Sequence, residues 1–289
     1  MMSRTDPLEP RSAAAAAQRA FEPLDSALAT ALQNFAAHDR VLIALDFDGT
    51  LAPEVDDPER ARALPEAHDA IVTLAIMPNT TVALVSGRTL ASLAATGGMP
   101  DHVPLVGSHG LELRFGAGDA RSPVDDADRA RVLALRSRLA PLIDGVTGAW
   151  IEDKPAGFAV HTRAVEPSQA AALNDAVRAE ALITDTALTV RDGKNVVEFA
   201  VHSATKGDGI HALRERFAPD ALLFAGDDVT DEDALAALRS GDLGIKVGSA
   251  ATIADHRLAD PHAVAAMLRT LAELRAELRA EPRAEPPAE

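Results

Sequence analysis

The stretch VLIALDFDGTLAP, residues 41–53, decides the fold. It opens as an unbroken apolar run, Val41 to Leu45, and then turns acidic twice, at Asp46 and Asp48 on either side of Phe47. A short run with no polar alternation predicts a strand over 41–46 that is buried on both faces, as in a parallel sheet. Asp and Gly favour turns, so the end of the run reads as an ordinary turn. It reads equally as a site. Two carboxylates at the rim of a buried strand are costly unless a cation or a proton compensates them.

Outward from this strand the chain alternates. Apolar runs at 81–85, 103–106, 221–225 and 243–247 predict further buried strands, and 65–76, 89–96, 206–217 and 231–239 read as helices between them. That pattern predicts a parallel sheet covered on both faces. The middle differs. A helix over 128–142 precedes a hairpin, 147–153 and 157–163, turning at Lys154-Pro155-Ala156-Gly157. A helix over 167–182 precedes a second hairpin, 187–191 and 195–200, turning at Asp192-Gly193-Lys194. Helix-hairpin-helix-hairpin predicts a small α+β unit. It spans 116–200 and splits the first domain into 38–115 and 201–280. Residues 1–37 form an N-terminal arm, disordered to about 15 and helical over 13–37, packing Phe21, Leu24, Leu28, Leu32 and Phe35. An amphipathic helix over 262–280 packs Leu268, Leu271, Leu274 and Leu278 on the core rather than on a second copy. The tail, 281–289, reads as disordered.

Composition narrows the function. At 289 residues the chain suggests two domains, and its net charge of −16 argues against nucleic acid or an anionic membrane as partner. No cysteine is present, which excludes disulfides, thiol catalysis and thiolate metal sites. The N-terminus lacks the apolar core of a secretory signal, and no apolar run reaches the length of about 18 residues that a membrane span needs. The expected location is the cytoplasm.

Four predicted strand ends carry chemistry, and ligands of such sheets bind at the carboxyl ends of the strands. Asp46 and Asp48 are the first. The second, LLFAGDDVTDEDALAAL, brings Asp227 and Asp228; Thr230 and Asp233 beyond them read as a helix N-cap and an approximate capping box. Helix capping does not explain the Asp227-Asp228 pair. Carboxylates from two strand ends suit Mg²⁺, which takes oxygen ligands. The third, Ser86-Gly87-Arg88, reads as a turn opening a helix or as an anion cradle of hydroxyl and backbone N–H groups. The fourth is Lys206, in the first turn of a helix, where it opposes the helix dipole unless acids or a phosphate offset it.

Asp46-Phe47-Asp48-Gly49-Thr50-Leu51, Ser86, Lys206 and Gly226-Asp227-Asp228 resemble, in order, the four signatures of the haloacid-dehalogenase superfamily of phosphotransferases. The resemblance implies an α/β fold, a Rossmann-like parallel-sheet core with an inserted small α+β cap. Ser86-Gly87-Arg88, Gly107-Ser108-His109-Gly110-Leu111-Glu112, Glu152-Asp153-Lys154, His161-Thr162-Arg163 and the segment Gly226 to Asp233 are similar to the trehalose-6-phosphate phosphatase family over about 38–265. Thr162 departs from that pattern, which often has an aromatic there.

The resemblance implies that Asp46 is the nucleophile, forming an aspartyl-phosphate, and Asp48 the general acid and base. Ser86, Gly87 and Lys206 would bind phosphate. Mg²⁺ would be held by Asp46, Asp48 through its carbonyl, and Asp227, with Asp228 or Asp231 in support. Arg88, His109, Glu152, Lys154, Arg163, Lys194 and Glu198 would bind the sugar; the spacing of two puts Glu152 and Lys154 on one strand face. Each of these cap residues reads equally as part of a solvated hairpin face. His109 reads equally as a loop histidine. Trp150, the only tryptophan, reads as an anchor between cap and core rather than a sugar platform. The expected reaction releases trehalose from trehalose 6-phosphate. Another sugar phosphate (glucosylglycerol or sucrose phosphate), a phosphomutase of the same superfamily and a non-enzymatic binding module are the alternatives. The expected partner is a small-molecule sugar phosphate, and the oligomeric state is open.

Overall fold

The structure, a computed structural model, describes residues 24–55, 57–193 and 195–280. The segments expected to be disordered, the first half of the 13–37 helix with Phe21, and Lys194 lie outside the described residues.

The apolar run is strand β1, Val41–Leu45, buried along its whole length. It lies inside an eight-stranded sheet with β2 (Thr80–Val85), β3 (Leu105–Gly107), β4 (Glu112–Arg114), β5 (Ala120–Arg121), β10 (Ala221–Gly226), β11 (Leu243–Val247) and β12 (His256–Leu258). The order is β12-β11-β10-β1-β2-β3-β4-β5, parallel except at β4 and β5. Alternate side chains of β1 enter two cores. Val41, Ile43 and Leu45 pack with helices α1 (Ser26–Ala37), α2 (Pro65–Ala75), α3 (Leu90–Gly97) and α8 (Pro261–Ala280). Leu42 and Ala44 pack with α6 (Lys206–Phe217) and α7 (Asp231–Ala236). Burial on both faces is why the strand reads as continuous apolar sequence.

The inserted unit is a four-stranded antiparallel sheet, β6 (Trp150–Lys154), β7 (Gly157–His161), β8 (Thr189–Gly193) and β9 (Val196–Ala200), ordered β6-β7-β9-β8. One face, including Phe158, Val160, Val197 and Phe199, packs on α4 (Asp126–Asp144) and α5 (Pro167–Thr184). The other carries Trp150, Glu152, Lys154, His161, Arg191 and Glu198, as the two-residue alternation of a strand requires. Among the described residues, no helix is long and apolar enough to cross a membrane.

Three strands were not expected: β4, β5 and β12. Each has two or three residues of mixed polarity, so pairing partners rather than local pattern define them. β5 also carries the large sheet past residue 115. The C-terminal helix packs on the core as expected, burying Leu268 and Leu271, while Leu278 stays exposed. Its firmest tie is polar. Arg275 is buried and donates to the carbonyls of Ala36 (2.9 Å), Asp39 (3.1 Å) and Asn79 (3.2 Å) and to Thr80 Oγ1 (3.0 Å). It thereby joins α8 to the end of α1 and the entries of β1 and β2. Arg275→Met, which keeps the volume and removes the donors, is expected to lower unfolding free energy by about 3 kcal/mol, since buried acceptors lose their partners. Urea unfolding measures it; a loss below about 0.5 kcal/mol would contradict the clamp.

Candidate active site

The sheet register places the site. Leu45 pairs with Ala225 of β10 and Leu84 of β2, so Asp46, Asp227 and Ser86 leave three neighbouring strands at one edge. The order of strands reverses direction at β1, the position where such sheets open a crevice. Asp46 is buried, and its N–H donates to Ala225 O at 2.9 Å. Gly49 has φ +78°, and a Cβ there would lie 2.1 Å from an oxygen of Asp227; only glycine lets this turn pass beside that carboxylate. Thr50 Oγ1 then donates to Asp227 Oδ1 at 3.0 Å.

Lys206 enters from the first turn of α6, which Thr205 and Asp208 close with a capping box. Its Nζ donates to Asp46 Oδ1 at 2.7 Å and Asp231 Oδ1 at 2.6 Å, and all three side chains are buried. Burial alone would lower the lysine pKa, but the charges and hydrogen bonds of Asp46 and Asp231 more than reverse this and raise it. Burial, with the charges of Asp231 and Asp227, raises Asp46 well above the ordinary carboxylate range against the pull of Lys206. Asp227 is raised as well, chiefly by burial.

The second acidic segment differs from expectation. Thr230 already has helical backbone angles, φ −69° and ψ −16°, so its side chain does not cap α7. Its hydroxyl donates instead to Asp228 Oδ2 at 3.3 Å, and Asp233 is exposed with no capping box formed. Asp231, rather than Asp228, joins the carboxylate cluster: Asp46, Asp227 and Asp231 each offer an oxygen within 4.8 Å of the others. The Asp228 carboxylate accepts from Val229 N–H at 2.7 Å. Its carbonyl accepts from the buried Lys246 Nζ at 2.8 Å. Lys246 escaped the sequence reading, although a lysine inside the apolar run LGIKV is itself a signal.

Ser86 is buried beside the cluster. Arg88, expected at the sugar, grips both oxygens of Asp48 with its Nε and a terminal nitrogen, each at 2.6 Å. Gly87 is constrained by His109: a Cβ would lie 2.6 Å from the imidazole. His109 has left-handed backbone, φ +57°, and its Nδ1 is buried without a partner. Burial, then the positive charges of Lys206 and Arg191, lower its pKa to about 4, so it is neutral near pH 7. Glu112 fixes this loop, accepting from Ser108 Oγ at 2.7 Å and Leu90 N–H at 3.1 Å.

A cleft of about 1330 Å³ joins the two lobes, lined by Asp46, Asp48, Ser86, Gly87, Arg88, His109, Lys206, Asp227 and Asp228 from the core and by Glu152 and Lys154 from the inserted sheet. Glu54, Asp57 and Arg60, in a loop not singled out from sequence, close one side. Glu152 pairs with Lys154 at 2.5 Å and His161 Nε2 at 2.9 Å. Burial would raise its pKa, but those hydrogen bonds outweigh burial and lower it. Glu198 and Arg191 line a smaller recess that shares Gly87, His109 and Lys154 with the cleft. Arg163 lies exposed in the turn after β7, outside both. Trp150 is not the expected anchor: it is half exposed and stacks on His161.

The sequence model of the family described as Trehalose-phosphatase matches residues 44–263. The chain belongs to the trehalose-phosphatase family. It is 35% identical over 246 residues to a trehalose-phosphate phosphatase of Mycobacterium avium, covering 80% of this chain and 62% of that one. It is 32% identical over 245 residues to a bifunctional trehalose-6-phosphate synthase/phosphatase of Thermoproteus tenax, covering 82% and 33%. It thus spans about a third to three fifths of the length of these two curated relatives. In three dimensions it is similar to the trehalose-6-phosphate phosphatase of Aspergillus fumigatus, with TM-score 0.67 and 26% identity, covering 85% of this chain and 97% of that one.

The acidic cluster of this trehalose-phosphatase family member fits a hard divalent cation. Its donors are all oxygens, they converge from two strand ends and a helix start, and three carboxylates face one ammonium.

The neutral His109 makes a prediction for stability. Between about pH 6.5 and 4 the unfolded histidine binds a proton that the folded one does not, so stability falls as pH drops through that window. His109→Asn, which tolerates the left-handed backbone, is expected to lose less stability between pH 7 and pH 4 than the parent. Urea midpoints across that range measure it; equal losses would contradict the buried neutral state.

Proposed function

We propose that the chain is a Mg²⁺-dependent phosphatase that hydrolyses trehalose 6-phosphate to trehalose and phosphate through an aspartyl-phosphate. One observation carries the reading: Asp46, paired with Lys206, sits in a cleft whose far wall is the polar face of an inserted sheet. The core supplies phosphoryl chemistry, and the cap supplies groups that recognise a polyol.

The Asp46 carboxylate attacks phosphorus, splitting hydrolysis into two easier steps. As the phosphorus–sugar oxygen bond breaks, Asp48 gives that oxygen a proton. In the second step Asp48 takes a proton from water, water attacks phosphorus, and the Asp46 carboxylate leaves. Arg88 holds Asp48 by both oxygens before substrate arrives, and the incoming phosphate is a competing partner for its guanidinium. Lys206, Ser86 and the N–H groups around Gly87 hold the phosphoryl oxygens and stabilise charge as it develops. Asp46, Asp227 and Asp231, with the Asp48 carbonyl, would hold Mg²⁺. Once bound, that ion neutralises repulsion between the attacking carboxylate and the phosphate.

Glu152 and Lys154 reach the sugar from the cap, with Glu198 in the adjoining recess. Closure of the inserted sheet over the cleft would limit bulk water between the two steps. A cytoplasmic location accords with the acidic, cysteine-free sequence.

Asp46→Asn is nearly isosteric and is expected to abolish phosphate release while unfolding cooperatively like the parent. Full activity in that variant would remove Asp46 as nucleophile. In a phosphate-release panel the parent is expected to prefer trehalose 6-phosphate, and to lose activity in EDTA. Equal rates on glucose 6-phosphate would contradict the substrate, and undiminished rates in EDTA the metal.

A further inference from the structure

Lys154, Glu152 and Trp150 follow one another along one face of β6, each separated from the next by a strand repeat of about 7 Å. Lys154 and Glu152 line the cleft, so Trp150 stands one repeat further out on the same wall. Its partner is His161, directly opposite on β7. The two rings lie nearly parallel, 6° apart, with centroids 3.8 Å from each other. The same imidazole places Nε2 2.9 Å from Glu152 Oε2. His161 is therefore held between an indole face and the carboxylate that reaches the cleft.

Trp150 nevertheless keeps 50% of its surface open, although tryptophan is highly buried on average. An open aromatic ring beside a carboxylate and an ammonium is the combination that recognises a sugar: hydroxyls bond the charged groups, and the C–H face of the ring lies on the aromatic. We propose that Trp150 and His161 form the outer wall of the sugar subsite, Trp150 presenting a ring face to the second sugar unit of a disaccharide and His161 acting as the positioning residue for Glu152. The assignment of a disaccharide phosphate as substrate rests on the phosphatase reading above. The binding of a free disaccharide at this wall does not.

Trp150 is the only tryptophan and the sequence has no tyrosine, so its emission reports this wall alone. Titration of the full chain with free trehalose is expected to give a saturable change in emission, with no change from glucose at equal concentration. In kinetics on trehalose 6-phosphate, Trp150→Ala is expected to raise KM about tenfold, the equivalent of one lost ring contact, with kcat within about twofold. Trp150→Phe, which keeps a ring, should stay within about threefold of the parent. His161→Ala should raise KM as Glu152→Gln does, and the double variant no further than either single one. No emission change, an equal response to glucose, an unchanged KM in Trp150→Ala, a fall in kcat alone, or additive His161 and Glu152 effects would each overturn the proposal. Absence of phosphate release from every sugar phosphate would instead sink the phosphatase reading, and the emission titration would still decide the subsite.

Discussion

The site depends on one buried contact: the Lys206 ammonium held between Asp46 and Asp231. An unpaired carboxylate at this depth would take up a proton rather than stay charged. Lys206 pulls toward the ionised form, yet it is one positive charge against three carboxylates once Asp227 is counted, and Asp46 and Asp227 both stay raised above the ordinary carboxylate range. Under the proposed function, the surplus negative charge would repel the phosphate assigned to Ser86 and Lys206. A divalent cation resolves both difficulties, because it offsets the acids and attracts the phosphate. Under the proposed function, the repulsion between acids at the end of β1 is a reason for a metal rather than a defect of the strand.

Topology delivers these groups without long-range coincidence. Parallel pairing of β1 with β10 and β2 aligns their carboxyl ends, and the helix after the inserted unit brings Lys206 back over the same edge. The insertion leaves and rejoins the core near that edge, so its polar face closes the cleft. Under the proposed function, chemistry common to many substrates sits in the core, and selection among them sits on the separate sheet.

Much of this was legible in sequence. The helix at 206–217 and the strand at 41–46 lie within a residue of Lys206–Phe217 and Val41–Leu45, because continuous apolar runs and capping residues are local signals. What failed was non-local. Thr230 carries a good cap residue type, but its backbone is already helical, so the bonds pass to Asp228 and Asp231. Trp150, the only tryptophan, read as an anchor; the two-residue spacing that paired Glu152 with Lys154 also places Trp150 on their face. Lys246 and Arg275 were not singled out in sequence, and only the fold shows each buried against backbone carbonyls. Arg163 matched a family segment, yet its turn leaves it outside the cleft.

The central claim is that the cluster of Asp46, Asp227 and Asp231 holds more negative charge than Lys206 can offset, and therefore binds a divalent cation. Thermal unfolding of the full chain against Mg²⁺ at constant ionic strength tests it without reference to any substrate. The account predicts a saturable rise in midpoint, equivalent to about 2.7 kcal/mol when Mg²⁺ reaches a hundred times its Kd. It predicts that Asp227→Asn abolishes the rise while leaving the Mg²⁺-free midpoint no lower than the parent's. No Mg²⁺-dependent shift in the parent, or an equal shift in Asp227→Asn, would contradict it.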